Sequence, residues 1–206
     1  RQPAFHRAMI PKPIKKFIDA FSQLPALGPR QATRLAFYLT SLPKATLHEL
    51  EMSLKGLKDL GRCERCFFLK ENELKVCRIC GDPKRDKEII AIIEKETDLL
   101  SLEKLGAYTG HYFILGKLAE KGVLEIAQKL RLEHLKSRIK SEGGIIKELI
   151  IALNPSAIGD FTADMIKREF RELAGKITRL SRGLPTGGEI EFADESTLES
   201  SFEHRE

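Results

Sequence analysis

The sequence predicts an α/β protein in which a small helical module and a cysteine-rich segment precede a parallel sheet with helices on both sides. Two observations predict this fold class. Four nearly continuous apolar runs in the second half of the chain alternate with helical stretches, which is typical of strands buried on both faces of a sheet. Four cysteines, the only ones among 206 residues, form two closely spaced pairs before the first of these strands.

Two short helices joined by a tight turn are predicted near the amino terminus. Apolar residues three and four positions apart mark one helical face over 13–21, and a second periodic run follows over 32–39. Between them, 24–30 is rich in Pro and Gly, and Gly28 allows backbone conformations that other residues resist. In such a helix-hairpin-helix arrangement, Arg30 and Arg34 would add positive charge to the phosphate-binding start of the second helix. An αα-hairpin that only packs is the alternative.

The basic residues are concentrated at this end of the chain. Residues 1–48 contain eight Lys and Arg residues and a single acid, Asp19, although the formal net charge of the whole chain is only +5. This asymmetry is typical of a module that binds nucleic-acid phosphates, although a solvated basic face would show the same composition. No run approaches the roughly 20 consecutive apolar residues of a membrane span, so we expect a cytoplasmic protein without membrane contact.

A third helix is predicted around 47–60, with Gly61 as its end, and it leads to the cysteine-rich segment. Cys63 and Cys66 form one Cys-x2-Cys pair, and Cys77 and Cys80 form the other. Four thiolates at this spacing complete the tetrahedron that Zn²⁺ prefers and leave no open position, so the zinc would be structural. The intervening polar segment 67–76 is not expected to be held by burial. Disulfides are the alternative, but a chain of this length does not need them.

The second half of the chain predicts a parallel sheet with right-handed crossovers. Its strands are expected at 88–93, 112–115, 149–153 and 177–180, and its helices at 97–105, 124–140 and 161–173. In the middle helix we expect an apolar stripe to be buried and the basic residues to be solvated; the stripe is Leu132, Leu135 and Ile139, and the basic residues are Lys129, Arg131, Lys136 and Arg138.

Polar residues follow two of these strands at the ends where ligands gather in open sheets. Glu94 and Asp98 follow the first strand, and Asn154, Ser156 and Asp160 follow the third. Two aspartates in place of Asn154 and Ser156 would make a stronger Mg²⁺ site, so a bound Mg²⁺ is not expected. Glu94 and Asp160 are instead expected to cap helices or form ion pairs.

Motifs along nearly the whole chain resemble those of the RecR family of bacterial recombination mediators. The similar segments are 24–29 with 34–37 in the hairpin, the four cysteines, Glu94 with Asp98 and 102–103, 152–155 with Gly159 and Thr162, and the carboxy-terminal segment 182–198. The resemblance implies four domains. These are a helix-hairpin-helix module over 1–55, a zinc finger over 56–84, a Toprim domain over 85–178 and a Walker B-like oligomerisation segment over 179–206.

The resemblance also implies a DNA-repair protein that is not an enzyme. Such proteins form homo-oligomeric clamps or rings, from dimers to tetramers, and act with RecO and in some settings RecF to load RecA onto single-stranded DNA. Carried onto this sequence, Arg30 and Arg34 would face DNA, and the cysteines would hold one Zn²⁺. Glu94, Asp98 and Asp160 would lie on the Toprim face used for partner contact, and the protein would be cytoplasmic and associated with the nucleoid.

The carboxy-terminal segment predicts a turn over 184–188, a short strand over 189–192 and a short helix around 197–198. No G-x4-G-K-[ST] motif is present, so ATP hydrolysis is not expected. The alternative function is a Mg²⁺-dependent Toprim enzyme, either a nuclease or primase-like, that uses Glu94 and Asp160. A nuclease would be expected to show the full paired aspartates, and the only candidates for a topoisomerase nucleophile are Tyr38, Tyr108 and Tyr112.

Overall fold

A computed structural model describes residues 10–118, 124–203 and 205. The described chain forms two compact units, one ending at Asp59 and the other beginning at Leu60. Arg1 and Arg7, which belong to the basic amino-terminal stretch, lie outside the described residues. The four domain boundaries given above remain predictions.

The part of the first unit that the structure describes, from residue 10 onward, contains three helices, as predicted. Helices α1 (Lys12–Phe21) and α2 (Pro29–Thr40) pack against each other, and α3 (Lys44–Gly56) is followed by a 3-10 turn, Leu57–Asp59. Two small side chains of α2, Ala32 and Ala36, are buried and allow close helix contact. Gly61 does not end the third helix, because the helix stops at Gly56 and Gly61 lies in the next strand.

The second unit begins with the cysteine-rich segment. Strands β1 (Leu60–Arg62) and β2 (Leu69–Glu71) form an antiparallel pair, and the single-turn helix α4 (Arg78–Gly81) carries the last cysteine. The expectation that the segment 67–76 is not held by burial was wrong for its start, because Phe67 and Phe68 pack against the sheet core.

Four parallel strands form the sheet of this unit, as predicted. They are β3 (Asp86–Ile93), β4 (Gly110–Ile114), β5 (Ile146–Ala152) and β6 (Ala174–Arg179), in the spatial order β4-β3-β5-β6. The connecting helices are α5 (Glu96–Lys104), α6 (Ile126–Ser141) and α7 (Ala157–Glu169). The last strand begins three residues before its predicted position. The last connecting helix begins four residues early, because Ser156 caps α7 by accepting a hydrogen bond from the Gly159 N–H.

Alternate residues of the strands build two cores on the two faces of the sheet. On one face, α6 and α7 cover the strands through Leu132, Leu135, Ile139, Ile166 and Phe170. On the other face, α5 contributes Leu99, and the cysteine-rich segment contributes Phe67, Phe68 and Ile79. The segment therefore serves as part of one layer of the fold.

The predicted buried stripe of α6 is confirmed, but three of its four basic residues are not simply solvated. Lys129 is exposed, whereas Arg138 is buried. Lys136 pairs with Glu133 and Glu169, and the Arg131 guanidinium lies over the ring of Phe67 and donates to the Ile114 carbonyl. These side chains hold α6 to its neighbours, a role that helical periodicity alone does not reveal.

After the sheet, the chain forms a 3-10 turn, Ile190–Phe192, and helix α8 (Glu195–Glu203). The turn replaces the short strand expected over 189–192, whereas the terminal helix is confirmed. No helix in the described parts of the chain has both the length and the apolar composition of a membrane span.

Candidate metal centre, strand-end cleft and hairpin

The four cysteine side chains converge on one point. Their sulfur atoms all lie within 4.8 Å of one another, and those of Cys66 and Cys77 are 3.5 Å apart. A tetrahedral Zn²⁺ with bonds of about 2.3 Å places its sulfur ligands about 3.8 Å from each other. The arrangement therefore fits a four-thiolate metal site. Among the described residues, these cysteines are the only group of three or more metal-ligating side chains.

Backbone hydrogen bonds shape both cysteine pairs into knuckles. The Cys63 N–H donates to the Phe68 carbonyl at 2.8 Å, and the Phe67 N–H donates back to the Cys63 carbonyl at 2.9 Å. Phe67 adopts a positive φ of 63°, which closes this turn. In the second pair, the Cys80 N–H donates to the sulfur of Cys77 at 3.4 Å. Such N–H donors favour thiolates over thiols.

The four sulfurs also perturb one another electrostatically. A hydrogen bond from Cys66 lowers the pKa of Cys63, and the same contact raises the pKa of Cys66. Crowded thiols thus share protons unequally, because adjacent thiolates repel each other. A divalent cation at the centre would remove this conflict and allow all four sulfurs to ionise.

Polar contacts join the cysteine knuckle to the sheet and to α6. The Ile114 N–H donates to the Cys66 carbonyl at 2.9 Å, so the knuckle continues the hydrogen bonding of β4. The buried Arg138 donates to the Arg65 carbonyl, and Arg65 pairs with Glu142 at 2.6 Å. Burial lowers the pKa of the Arg138 guanidinium, whereas Glu142 and the nearby sulfurs favour its charged form. Arg138 was expected to be solvated, and its structural role is not visible from helical periodicity because its partner is 73 positions away.

A cleft of about 430 Å³ lies at the carboxyl ends of the strands. The connections after β3 and β5 lead to opposite sides of the sheet, since α5 continues to β4 and α7 continues to β6. Such a switch point is where open α/β sheets bind ligands. The lining includes Asp98, Leu102, Asn154, Arg182 and Thr197.

Glu94 follows β3 at this switch point and is buried. One of its carboxylate oxygens accepts a hydrogen bond from the Asn154 side-chain amide at 2.6 Å, and the other accepts from the Leu118 N–H at 3.1 Å. Neither a helix cap nor an ion pair is formed by Glu94 within the described chain, so that expectation was wrong. The Asn154 amide can donate to the Glu94 carboxylate because Asn154 lies at the end of the neighbouring strand, β5.

The other two predicted acids are also engaged within the chain. Asp98 accepts a hydrogen bond from the Lys95 N–H at 3.0 Å and so caps α5. Asp160 forms ion pairs with Arg179 and Arg182, the latter at 2.5 Å, which confirms the expected ion pair. Hydrogen bonds from Arg182 and then Arg179 lower the pKa of Asp160. The three acids therefore have separate partners and do not form a common ligand group.

Arg182 also joins the carboxy-terminal segment to this cleft. Its guanidinium donates to the Ser196 hydroxyl at 2.7 Å, and the Ser200 hydroxyl donates to its carbonyl at 3.1 Å. Asp194 accepts hydrogen bonds from Ser196 and Thr197, which lower its pKa to about 2. Neither Arg179 nor Arg182 was predicted from the sequence to have this role, although Arg182 begins the family-like carboxy-terminal segment.

In the hairpin, Arg30 and Arg34 are exposed and form no ion pair with any described residue. No side chain caps α2, so its first N–H groups remain available to a phosphate oxygen. The special turn conformation is not at Gly28, which is extended with φ of −74°, but at Ala26, with φ of 62°. The turn thus forms as predicted, with a different residue in the left-handed region.

The hairpin, the four-cysteine group and the parallel sheet with its strand-end acid define a modular protein built around a Toprim-type domain. Family models agree with this description: the Toprim domain matches residues 88–181, the RecR helix-hairpin-helix module matches 14–57, and the RecR carboxy-terminal segment matches 183–206.

Relatives over nearly the whole length identify the family. A recombination protein RecR from Chloroflexus aurantiacus is 40% identical over 200 residues, which cover 96% of this chain and 95% of the relative. Proteins of the same name from Roseiflexus castenholzii and Rubrobacter xylanophilus are 38% and 40% identical and cover 96% and 93% of this chain and 95% of each relative. The chain belongs to the RecR family.

Proposed function

We propose that this chain is a recombination mediator in DNA repair that binds DNA without catalysing a reaction on it. Acting with RecO, and in some settings RecF, it would help to load RecA onto single-stranded DNA. The observation that carries this proposal is the family match over all three modules, from hairpin to carboxy-terminal segment, together with full-length relatives named recombination proteins. A DNA-repair role of this kind places the protein at the nucleoid in the cytoplasm.

DNA contact is assigned to the start of α2. Arg30 and Arg34 lie one turn apart on an uncapped helix end, so backbone N–H groups and two guanidinium groups can bind neighbouring phosphates. Contacts of this kind hold the sugar-phosphate backbone and read no bases. Binding would therefore be independent of sequence, as loading a recombinase onto any DNA region requires.

Zinc is the metal that we assign to the four cysteines. The four sulfurs supply a complete soft-ligand tetrahedron and leave no position for a substrate, so the ion would be structural. One Zn²⁺ per chain would hold the knuckle in the form that packs Phe67 and Phe68 against the sheet.

The strand-end acids are assigned to partner contact, with Glu94, Asp98 and Asp160 near one edge of the sheet. A Mg²⁺ ion would have to displace the Asn154 amide from Glu94 and two guanidinium groups from Asp160. This hydrogen bonding argues against a resident Mg²⁺. Because Glu94 is buried and hydrogen-bonded within the chain, it would shape the partner surface from beneath, and the half-buried Asp98 and Asp160 would make the contact with a protein such as RecO.

Homo-oligomers from dimers to tetrameric rings are also proposed. Large apolar side chains remain exposed in the described chain at the end of the first unit and in the carboxy-terminal segment. They include Leu54, Leu57, Phe192 and Phe202, at 55%, 63%, 78% and 69% exposure. Contacts between copies would cover such side chains.

The competing function, a Mg²⁺-dependent nuclease or primase-like enzyme, is tested by cleavage of single- and double-stranded DNA in the presence of Mg²⁺. We expect the parent protein and a Glu94→Gln variant to show the same background level of cleavage, because Glu94 has a structural role through its hydrogen bonds. Robust cleavage by the parent that disappears in Glu94→Gln would overturn the non-catalytic assignment.

A further inference from the structure

A second basic site lies in the sheet-containing unit, at the opposite end of β6 from the strand-end cleft. A groove of about 450 Å³ runs between the carboxyl end of α7 and the start of β6. Three cationic side chains and three small or aliphatic residues line it, namely Lys167, Arg168, Arg171, Ala174, Gly175 and Ile177. No acidic residue contributes to the lining.

The three cations are not neutralised within the described chain. Lys167, Arg168 and Arg171 are exposed and form no salt bridge with a described residue. The nearby carboxylate of Glu169 is held by Lys136 at 2.5 Å on the neighbouring helix. Asp164 lies one turn before Arg168 on α7, and the exposed Glu172 follows Arg171, yet neither acid forms a salt bridge with these cations. Positive charge is therefore left for a ligand.

The lining favours a phosphate backbone over a folded protein partner. Protein interfaces rely on buried aromatic or large aliphatic anchors, and Ile177 is the only large aliphatic residue that lines this groove. It also has no aromatic ring on which a base could stack. Long, flexible cations beside small and aliphatic residues are suited to sequence-independent contact with phosphates.

We infer that this groove is a second contact site for the DNA backbone, formed by Lys167, Arg168 and Arg171. The inference rests on the proposed function, because it adds a contact to DNA already bound through the hairpin. Each chain would then hold the nucleic acid by one site in each of its two units, which increases the effective concentration of the second contact once the first is made.

The test is a triple variant, Lys167→Gln/Arg168→Gln/Arg171→Gln, titrated with a fluorescent single-stranded oligonucleotide at several salt concentrations. The plot of log K against log salt has a negative slope, and loss of three phosphate contacts should make it less steep by about 2. The matched control, Lys75→Gln/Lys84→Gln/Lys104→Gln, removes the same charge from exposed lysines of this unit that form no ion pair with a described residue. Its slope should stay at the parent value.

The outcomes separate this inference from the proposed function. If the parent protein does not bind the oligonucleotide, both the proposed function and the groove site are wrong. If the parent binds and the groove variant has the same slope as the parent, the groove is not a DNA site. The same conclusion holds if the control variant loses as much of the slope as the groove variant. Neither result contradicts DNA binding by the hairpin. Thermal unfolding of the groove variant checks that the cations do not act only by stabilising the carboxyl end of α7. A lower slope at unchanged unfolding temperature supports the site.

Discussion

A Cys66→Ser variant is expected to lose zinc and to destabilise the whole sheet-containing unit. The sulfur of Cys66 lies 3.5 Å from that of Cys77, and its carbonyl accepts the hydrogen bond from Ile114 at the end of β4. Structural zinc binding contributes about 10–16 kcal/mol in small zinc modules. Without the ion, the knuckle would lose the centre that holds its four sulfurs together and would release Phe67 and Phe68 from the sheet.

Metal analysis and urea unfolding measure this effect. The parent should contain one zinc per chain, and the variant should contain none and unfold at a lower urea concentration. Chelator treatment of the parent supplies the control, since it should reproduce the behaviour of the variant without a change in sequence. A parent purified without zinc, or a variant that is as stable as the parent, would show that the four sulfurs do not form a metal site.

Replacing Arg30 and Arg34 together with alanine should weaken DNA binding more as salt is lowered. Two lost phosphate contacts reduce the slope of log K against log salt by about 1.4 for single-stranded DNA and about 1.8 for duplex DNA. The physical reason is that fewer counterions are released when the protein binds. Because both side chains are exposed and unpaired within the described chain, the fold should be unaffected.

The matched control for the hairpin is Lys44→Ala/Lys55→Ala, which removes two exposed charges of α3 from the same unit. Its slope should remain close to that of the parent. If the control weakened binding as much as the arginine variant, only net charge would matter, and the start of α2 would not be the DNA site.

Local patterns predicted the elements of this fold well. The cysteine spacing anticipated the convergence of the sulfurs, and continuous apolar runs anticipated strands buried on both faces. Details set by tertiary contact were not predictable in this way. The helical pattern predicts that Arg138 is solvated, but in the structure it donates a hydrogen bond to the Arg65 carbonyl, 73 positions away. The left-handed turn residue is Ala26, although a glycine stands two positions later.

The strand-end site shows the same division. The apolar runs predict that Glu94 and Asn154 follow separate strands, but the contact between them depends on β5 pairing directly with β3. That strand order follows from the crossover after β4, which periodicity does not encode. Arg179 and Arg182 were missed for a related reason, since their partner Asp160 becomes a neighbour only when β6 lies beside β5.

The measurement that tests the central claim most directly is RecA filament formation on single-stranded DNA that has been coated with SSB. With RecO present, adding this protein should shorten the lag before RecA hydrolyses ATP, and the Arg30→Ala/Arg34→Ala variant should shorten it less. A lag that stays the same with and without the folded, zinc-containing protein would contradict its assignment as a recombination mediator.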